Sequence, residues 1–216
     1  MKAFYFSLLF FFLANINVYP IEPQYKILCH EDEWVAKVEK KKFKCIASSV
    51  KETEGSYSYN CENVFDKDKS TCWVPKQGSE KNGIYEFIIL KIPYGCQGIR
   101  ITNGLAKNES LYYANNRVKK LYLGFIVKLD PSEEDACPPG IKYHLTYQTI
   151  TNELILLKDS MKSQSLIFGK VISNFNWKDN YYFKYKKDVY LVVAIWDIYK
   201  GTKYNDTCIS EIEIIK

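Results

Sequence analysis

Histidine is scarce in this chain of 216 residues, which contains two, His30 and His144. A metal centre built on histidines, or an enzyme that depends on a histidine base, therefore has little material to draw on. The seven cysteines include no C-x-x-C pair, so zinc-binding and thioredoxin-like chemistry is unsupported. Ten glycines and seven prolines are ordinary counts, which excludes collagen-like and linker-dominated chains.

Charge and composition indicate one folded domain. The 30 basic and 25 acidic residues leave a net charge of +5, too mild for a dedicated nucleic-acid-binding protein. This charge weakly favours acidic glycans or membrane surfaces as partners. Hydrophobic residues make up 47% of the chain and aromatic residues 16%, which is ample for a core and excludes wholesale disorder.

The N-terminal residues have the pattern of a secretory signal peptide. Lys2 precedes the apolar residues 3–14, in which Ser7 is the one polar side chain. This run is shorter than the roughly 20 residues that a membrane span needs. We therefore predict a signal peptide at residues 1–20, cut between residues 14 and 24, and a protein that is secreted, periplasmic or on the cell surface. An uncleaved anchor is the alternative.

All seven cysteines follow the predicted signal peptide, and export favours disulfides. Their number is odd, so at least one is free or pairs elsewhere, and spacing alone does not define the connectivity. Cys72 and Cys208 are the favoured pair, because each follows a threonine at the start of a predicted strand. The cysteines are Cys29, Cys45, Cys61, Cys72, Cys96, Cys137 and Cys208.

Strand patterns cover most of the chain, and helical periodicity is confined to residues 33–42. Apolar side chains alternate along two segments, and two more are apolar on both faces, as half-buried and buried strands are. Many strands separated by turns predict an antiparallel sandwich or barrel. The predicted strands cover residues 84–92, 98–101, 120–129, 189–198 and 208–215, with weaker candidates at 141–147, 153–157 and 166–172; residues 130–140 are predicted to be a loop.

Two segments narrow this class. Residues 47–74 contain A-S-S and then Y-x-x-x-N-V-F-D-x-D-x-x-T-x-W, and the chain ends with D-T-C-I-S-E-I-E. These motifs resemble the discoidin, or coagulation-factor type C, family. Between them, I-x-I-T-N-G, Y-Y-A-N-N-R-V-K-K-L and D-I-Y-K-G-T-K-Y-N-D-T-C-I-S-E-I are similar to the subfamily beside bacterial NAD-glycohydrolase toxins, described as a translocation or glycan-binding domain. The resemblance covers about residues 45–216, after an N-terminal extension at 21–44.

The resemblance implies an all-β fold, the galactose-binding-like jelly-roll β-sandwich. It also implies a non-catalytic module that recognises a glycan, or a host or environmental surface, through a loop face. No glycohydrolase domain follows in the sequence, so we do not expect that enzymatic activity and assign no catalytic residues. A structural or adhesion protein without sugar binding is the alternative. A glycoside hydrolase would need a carboxylate pair, and the sequence proposes none.

Closely spaced oxygen donors at Asp66, Asp68 and Thr71 suit a hard cation such as calcium. The resemblance implies a structural calcium ion held by these residues together with Glu211 of the last strand. The chain departs from the family at Lys67, where a glycine is usual and where the lysine adds a positive charge. The alternative is plain turn chemistry, in which the aspartate and threonine side chains bind backbone N–H groups.

A second polar group suits a sugar. Arginine and asparagine supply donors and acceptors for hydroxyl and carboxylate groups, and tyrosine rings stack on the apolar face of a pyranose. The alternative is a solvated loop in which Arg117 pairs with Asp206 or Glu211 and ties the sheet ends together. The predicted ligand-binding residues are Asn103, Tyr112, Asn116, Arg117 and Lys119.

Overall fold

The computed structural model describes residues 45–76, 82–128, 147–172, 175–177 and 189–216. The predicted signal peptide and extension, the helical pattern at residues 33–42, the loop at 130–140 and nearly all of the weak strand at 141–147 lie outside the described residues. The described part contains eight strands: β1 (Cys45–Ala47), β2 (Phe87–Ile92), β3 (Gly98–Asn103), β4 (Asn116–Lys128), β5 (Tyr147–Leu156), β6 (Gln164–Ile167), β7 (Val189–Tyr199) and β8 (Thr207–Ile215). It also contains a 3-10 helix (Cys61–Phe65) and two short α-helices, α1 (Glu109–Ala114) and α2 (Phe168–Val171).

The strands form two antiparallel ladders. One runs in the order β1-β2-β7-β4-β5 and the other in the order β6-β3-β8. A short parallel contact joins them, where Asn116 and Arg117 of β4 lie beside Thr207 and Cys208 of β8. The predicted antiparallel β architecture is confirmed. Within the described residues, no helix has the length and apolar character that crossing a membrane requires.

The core lies between the two ladders. Alternate side chains of β2 and β7, such as Leu90 and Leu191, meet Ile99 of β3 and Ile209 of β8 in one buried cluster. The intervening side chains of β2 and β7 are also buried, in a second cluster on the other face of the larger ladder. This two-sided burial explains why residues 84–92 and 189–198 read as continuous apolar runs. Trp73 is fully buried in the first cluster.

One helix lies where the sequence did not indicate one, and the boundaries of two strands differ from the prediction. Tyr112 and Tyr113 lie in helix α1 rather than in a loop, because Asn108 caps it by accepting a hydrogen bond from the Leu111 backbone at 2.9 Å. Strand β4 begins at Asn116, four residues earlier than predicted, which places Arg117 inside the sheet. The weak strand predicted at residues 166–172 ends at Ile167, because its ladder with β3 stops where Gly98 begins that strand.

Among the described cysteines, the disulfide is Cys45–Cys61, which joins β1 to the 3-10 helix. Cys72, Cys96 and Cys208 are buried thiols. Cys72 hydrogen-bonds Cys208, so the two favoured cysteines do lie in contact, but they are not bonded to each other. Their predicted pairing is therefore not the one that the structure forms. Burial and this hydrogen bond hold the pKa of Cys208 well above its usual value, which keeps the thiol protonated.

Candidate functional site

A pocket of about 790 Å³ opens among loops at the end of the sandwich where β3, β7 and β8 meet their connections. Its walls come from four separate segments, which span residues 51–63, 70–74, 105–115 and 203–208. None of these segments is contiguous with another in sequence. The fold therefore creates the pocket, and no single sequence motif predicts it.

Tyrosines line this pocket. Tyr57 is 61% exposed and Tyr204 is 40% exposed, so each presents a ring to solvent at the pocket. The hydroxyl of Tyr59 donates to the Glu54 carboxylate at 3.1 Å. Burial and this hydrogen bond raise the pKa of Tyr59 to about 12, so the hydroxyl remains a donor at neutral pH. In the sequence, Tyr57 and Tyr59 lie in the stretch S-Y-S-Y, where neither tyrosine has an aliphatic neighbour.

One lysine pairs with both carboxylates of the pocket. The Lys51 ammonium lies 2.8 Å from Glu54 Oε1 and 2.8 Å from Asp206 Oδ2. Burial lowers the pKa of Lys51, but the hydrogen bonds to Asp206 and Glu54 outweigh that effect and raise it overall. The hydrogen bonds from Lys51 and Tyr59 lower the pKa of Glu54. Glu54 is thus held as a charged acceptor.

Four of the five predicted ligand-binding residues are buried in the fold: Asn103, Tyr112, Asn116 and Arg117. The Asn103 side chain both donates to the Val118 carbonyl at 2.7 Å and accepts from the Val118 backbone N–H at 2.9 Å. Asn116 donates to the Asn205 carbonyl at 2.8 Å and accepts from the Gly201 N–H at 2.7 Å. The fully buried Tyr112 donates its hydroxyl to Asp159 at 3.0 Å. The two asparagines connect segments of backbone, Tyr112 binds a side chain, and none of the three lines the pocket.

Arg117 is 5% exposed and forms a two-point ion pair with Asp159. Its Nε and Nη2 atoms lie 3.1 Å and 2.6 Å from the two carboxylate oxygens, and Nη1 donates to the Asn115 and Lys200 carbonyls. The predicted alternative, in which Arg117 forms an ion pair, is thus correct in the type of interaction, but the partner is Asp159 and not Asp206 or Glu211. Lys119, the most exposed of the five, pairs with Asp197 at 2.9 Å.

The turn at Gly104 makes room for this arginine. Gly104 has a φ of +69°, and a Cβ added there would lie 2.7 Å from both Arg117 Cγ and a Tyr112 ring carbon. Glycine is required at this position for both its backbone conformation and its lack of a side chain. The turn at Asn103 and Gly104 is therefore also the place where Arg117 packs.

The structure brings together most of the predicted calcium ligands. Thr71 Oγ1 lies 2.6 Å from Asp66 Oδ2 and 2.9 Å from the Asp68 carbonyl. Glu211 is 3% exposed, and its Oε1 atom is buried with no hydrogen-bond partner. Burial and the facing Asp66 carboxylate raise the pKa of Glu211 to about 7. The Asp68 carboxylate accepts the Ser70 N–H at 2.8 Å, and the Asp68 carbonyl accepts the Thr71 N–H at 3.0 Å.

The loop keeps a conformation that favours glycine at the position where the chain departs from the family pattern. Lys67 has a φ of +65°, in the left-handed region. A residue other than glycine costs about 1 kcal/mol or more there. Among the described residues, the compact grouping of Cys45, Cys61 and Glu62 is not a second metal site, because its two sulfur atoms are bonded to each other.

The comparison with protein families gives a match over most of the chain. The model described as "NAD glycohydrolase translocation F5/8 type C domain" matches residues 37–215. No curated protein matches the sequence.

Solved structures that are similar to this chain include three proteins of low sequence identity. CpGH89CBM32-5 from Clostridium perfringens, in complex with GalNAc-beta-1,3-galactose, is 13% identical with a TM-score of 0.44, over 80% of this chain and 94% of that chain. The C-terminal domain of a chitobiase from Bacteroides fragilis is 13% identical with a TM-score of 0.40, over 80% and 93%. A GH29 fucosidase from Ruminococcus gnavus, in complex with fucose, is 12% identical with a TM-score of 0.35, over 80% and 25%.

Proposed function

The chain belongs to the family of NAD glycohydrolase translocation F5/8 type C domains, and from that premise we propose that it is a non-catalytic module that binds a glycan in its loop-end pocket. The observation that carries the proposal is the pocket itself, with its exposed tyrosines and its fixed polar groups. The family resemblance predicted from the sequence is confirmed by the match over residues 37–215.

The dimensions and lining of the pocket suit a mono- or disaccharide. Its volume of about 790 Å³ falls within the range of about 300–1,000 Å³ that small-molecule sites occupy. The rings of Tyr57 and Tyr204 offer faces on which a pyranose stacks. Serine hydroxyls, amides and the charged Glu54 and Asp206 line the same space and match the donors and acceptors of sugar hydroxyls.

The walls of the pocket are held in place before any ligand arrives. The Thr202 N–H donates to the Tyr113 carbonyl at 2.9 Å, and the Tyr204 N–H donates to the Ala114 carbonyl at 2.8 Å. The Cys45–Cys61 disulfide closes the segment that contributes Glu54 and Tyr57. A preformed site loses less conformational entropy on binding, which supports recognition of a small ligand.

The carboxylates of the pocket do not suit glycoside hydrolysis. A glycosidase needs a carboxylic acid that is protonated at the working pH, beside a second, ionised carboxylate. Lys51 lies between Glu54 and Asp206, and the pKa of Glu54 is lowered rather than raised. Among the described carboxyl groups, the one with a raised pKa belongs to Glu211, which is buried and does not line the pocket. We therefore propose binding without catalysis.

Replacing Tyr57 and Tyr204 together by alanine is expected to weaken glycan binding about tenfold, because each stacking contact contributes roughly 0.5–1.5 kcal/mol. A glycan array identifies the ligand, and calorimetry measures the dissociation constant, expected between about 1 μM and 1 mM. Tyr94→Ala is the matched control, since Tyr94 is exposed but lies outside the pocket. Unchanged affinity in the double variant would place the sugar site elsewhere, and silence across the array would favour a structural or adhesion role.

We also propose that calcium occupies the loop at residues 66–71. The supporting observation is the buried Glu211 oxygen without a donor, which faces the Asp66 carboxylate. Two facing carboxylates repel each other unless a proton or a cation lies between them. Carboxylate, hydroxyl and carbonyl oxygens are the ligands that calcium prefers, and Asp66, Glu211, Thr71 and the Asp68 carbonyl supply them.

Calcium is expected to raise the melting temperature, and Glu211→Gln is expected to abolish that rise. At a tenfold excess over Kd, binding to the folded state stabilises it by about 1.4 kcal/mol. For a domain of this size that corresponds to roughly 3–6 °C. Glu213→Gln is the control, because Glu213 lies on the same strand but is exposed and pairs with Arg100. Equal melting temperatures of the wild-type protein in chelator and in millimolar calcium would contradict the proposal.

Export completes the proposed role. The signal peptide at residues 1–20 stays a prediction, and the Cys45–Cys61 disulfide supports an oxidising compartment. A secreted or cell-surface module is also where a glycan of a host or of the environment is accessible.

A further inference from the structure

We infer that the pocket selects an acidic sugar, whose carboxylate is bound between Lys107 and Lys203. This inference rests on the proposed glycan-binding function and adds the class of ligand. Three lysines and two acids line the pocket, so cations are in excess there.

The excess is not cancelled by ion pairs. Lys51 holds both pocket acids, Glu54 and Asp206, at 2.8 Å each. Lys107 and Lys203 are exposed, and among the described residues no carboxylate lies within ion-pair distance of either one. Lys107 acts on the Asp68 carboxylate from beyond ion-pair distance, and neither ammonium group is held in an ion pair, so both can contact an anionic ligand.

The two lysines lie on separate walls, each with a fixed backbone. Lys203 donates its N–H to the Ala114 carbonyl at 3.1 Å, and its ammonium lies 5.1 Å from the centre of the Tyr204 ring. Lys107 follows Ala106, whose N–H donates to the buried Ser210 hydroxyl at 3.1 Å. The Lys203 ammonium thus covers one face of the Tyr204 ring, and a sugar that stacks on the other face would bring its carboxylate close to this cation.

A sugar acid fits this surface better than an anionic phospholipid. Membrane-binding loops bury exposed aliphatic or aromatic side chains among the lipids. The rim instead combines lysine, serine and asparagine with tyrosine. Among the described residues, the exposed large aliphatic side chain is Leu156, on β5 and outside the pocket. The concave, polar lining matches a small hydroxylated acid.

The test compares sugars that differ only in the carboxylate. Binding of methyl glucoside, methyl galactoside and the two corresponding uronides is measured by protein-observed NMR at low salt. The wild-type protein is expected to bind a uronide roughly fivefold more tightly than its neutral partner, the upper range for one exposed ion pair. The preference should fade in 0.5 M salt, which screens exposed charges.

Two charge-matched variants locate the effect. Lys107→Gln with Lys203→Gln should abolish the preference for the uronide. Lys158→Gln with Lys170→Gln removes the same charge from exposed positions outside the pocket and should retain the preference. A uronide preference that survives in the pocket variant overturns the assignment to these lysines.

The remaining outcomes separate this inference from the proposed function. Equal binding of neutral and acidic sugars overturns the acidic preference and leaves the glycan site intact. Binding of none of the four sugars counts against the glycan site itself, and the inference fails with it. Retention on phosphatidylserine vesicles through the same lysines, without uronide binding, would identify a lipid headgroup as the ligand and overturn the inference.

Discussion

Replacing Arg117 by alanine is expected to lower the free energy of unfolding by about 3 kcal/mol. Removing one partner of a buried ion pair typically costs about 3–5 kcal/mol, because the other charge is left unpaired. The lower end applies here, since the Asp159 side chain is 30% exposed and water partly solvates it. The change also removes the donors to the Asn115 and Lys200 carbonyls and the cation that packs against Tyr112, Tyr113 and Tyr199.

Urea unfolding checks this expectation, with Lys119→Ala as the matched control. Lys119 lies two residues along the same strand and pairs with Asp197 at the surface, so its loss should leave the free energy of unfolding nearly unchanged. Arg117→Lys should fall between the two, since an ammonium keeps the charge but not the two-point geometry. If Arg117→Ala loses sugar binding at full stability, Arg117 is a ligand and its burial has been misassigned.

Replacing Cys45 and Cys61 together by alanine is expected to cost about 3 kcal/mol. The disulfide closes a segment whose ends are 16 residues apart, and cross-linking a loop of that length removes this much conformational freedom from the unfolded chain. Both side chains are buried, so the small loss of core volume adds to the effect.

Reduction gives an independent measurement of the same quantity. A reductant should lower the melting temperature of the wild-type protein to that of the double variant and leave the variant unchanged. Cys96→Ala is the control for burial alone, because Cys96 is a buried thiol. A wild-type melting temperature that ignores the reductant would show that this bridge contributes no stability.

Local patterns predicted the strands, because side-chain alternation depends on neighbours along the chain. Residues 120–128 of one predicted strand lie in β4, and residues 208–215 lie in β8. The same reasoning failed at Asn116 and Arg117, whose polar side chains suggested a loop. Their burial depends on Asp159 and Asn205, partners 42 and 89 residues away, and one sequence carries no sign of such pairings.

The two candidate sites differ in the same way. Asp66 and Thr71 are neighbours in sequence, and the family resemblance brought in Glu211, so that cluster could be predicted. The pocket joins four separated segments, and the signals for Tyr57 and Tyr204 are no stronger than those of other loop tyrosines. The sequence therefore indicates Asn103 and Arg117 as sugar-binding residues, whereas in the structure their polar side chains form hydrogen bonds within the fold.

The segment at residues 66–72 touches both proposed sites, so a calcium ion and a sugar bound there would be interdependent. Thr71 contacts Asp66 in the calcium cluster, and Ser70, Thr71 and Cys72 also line the pocket. An ion that favours one arrangement of this segment changes the free energy of placing a sugar beside it. By thermodynamic reciprocity, the factor by which calcium alters sugar affinity equals the factor by which sugar alters calcium affinity. The calcium concentration would then set how strongly the pocket binds its sugar.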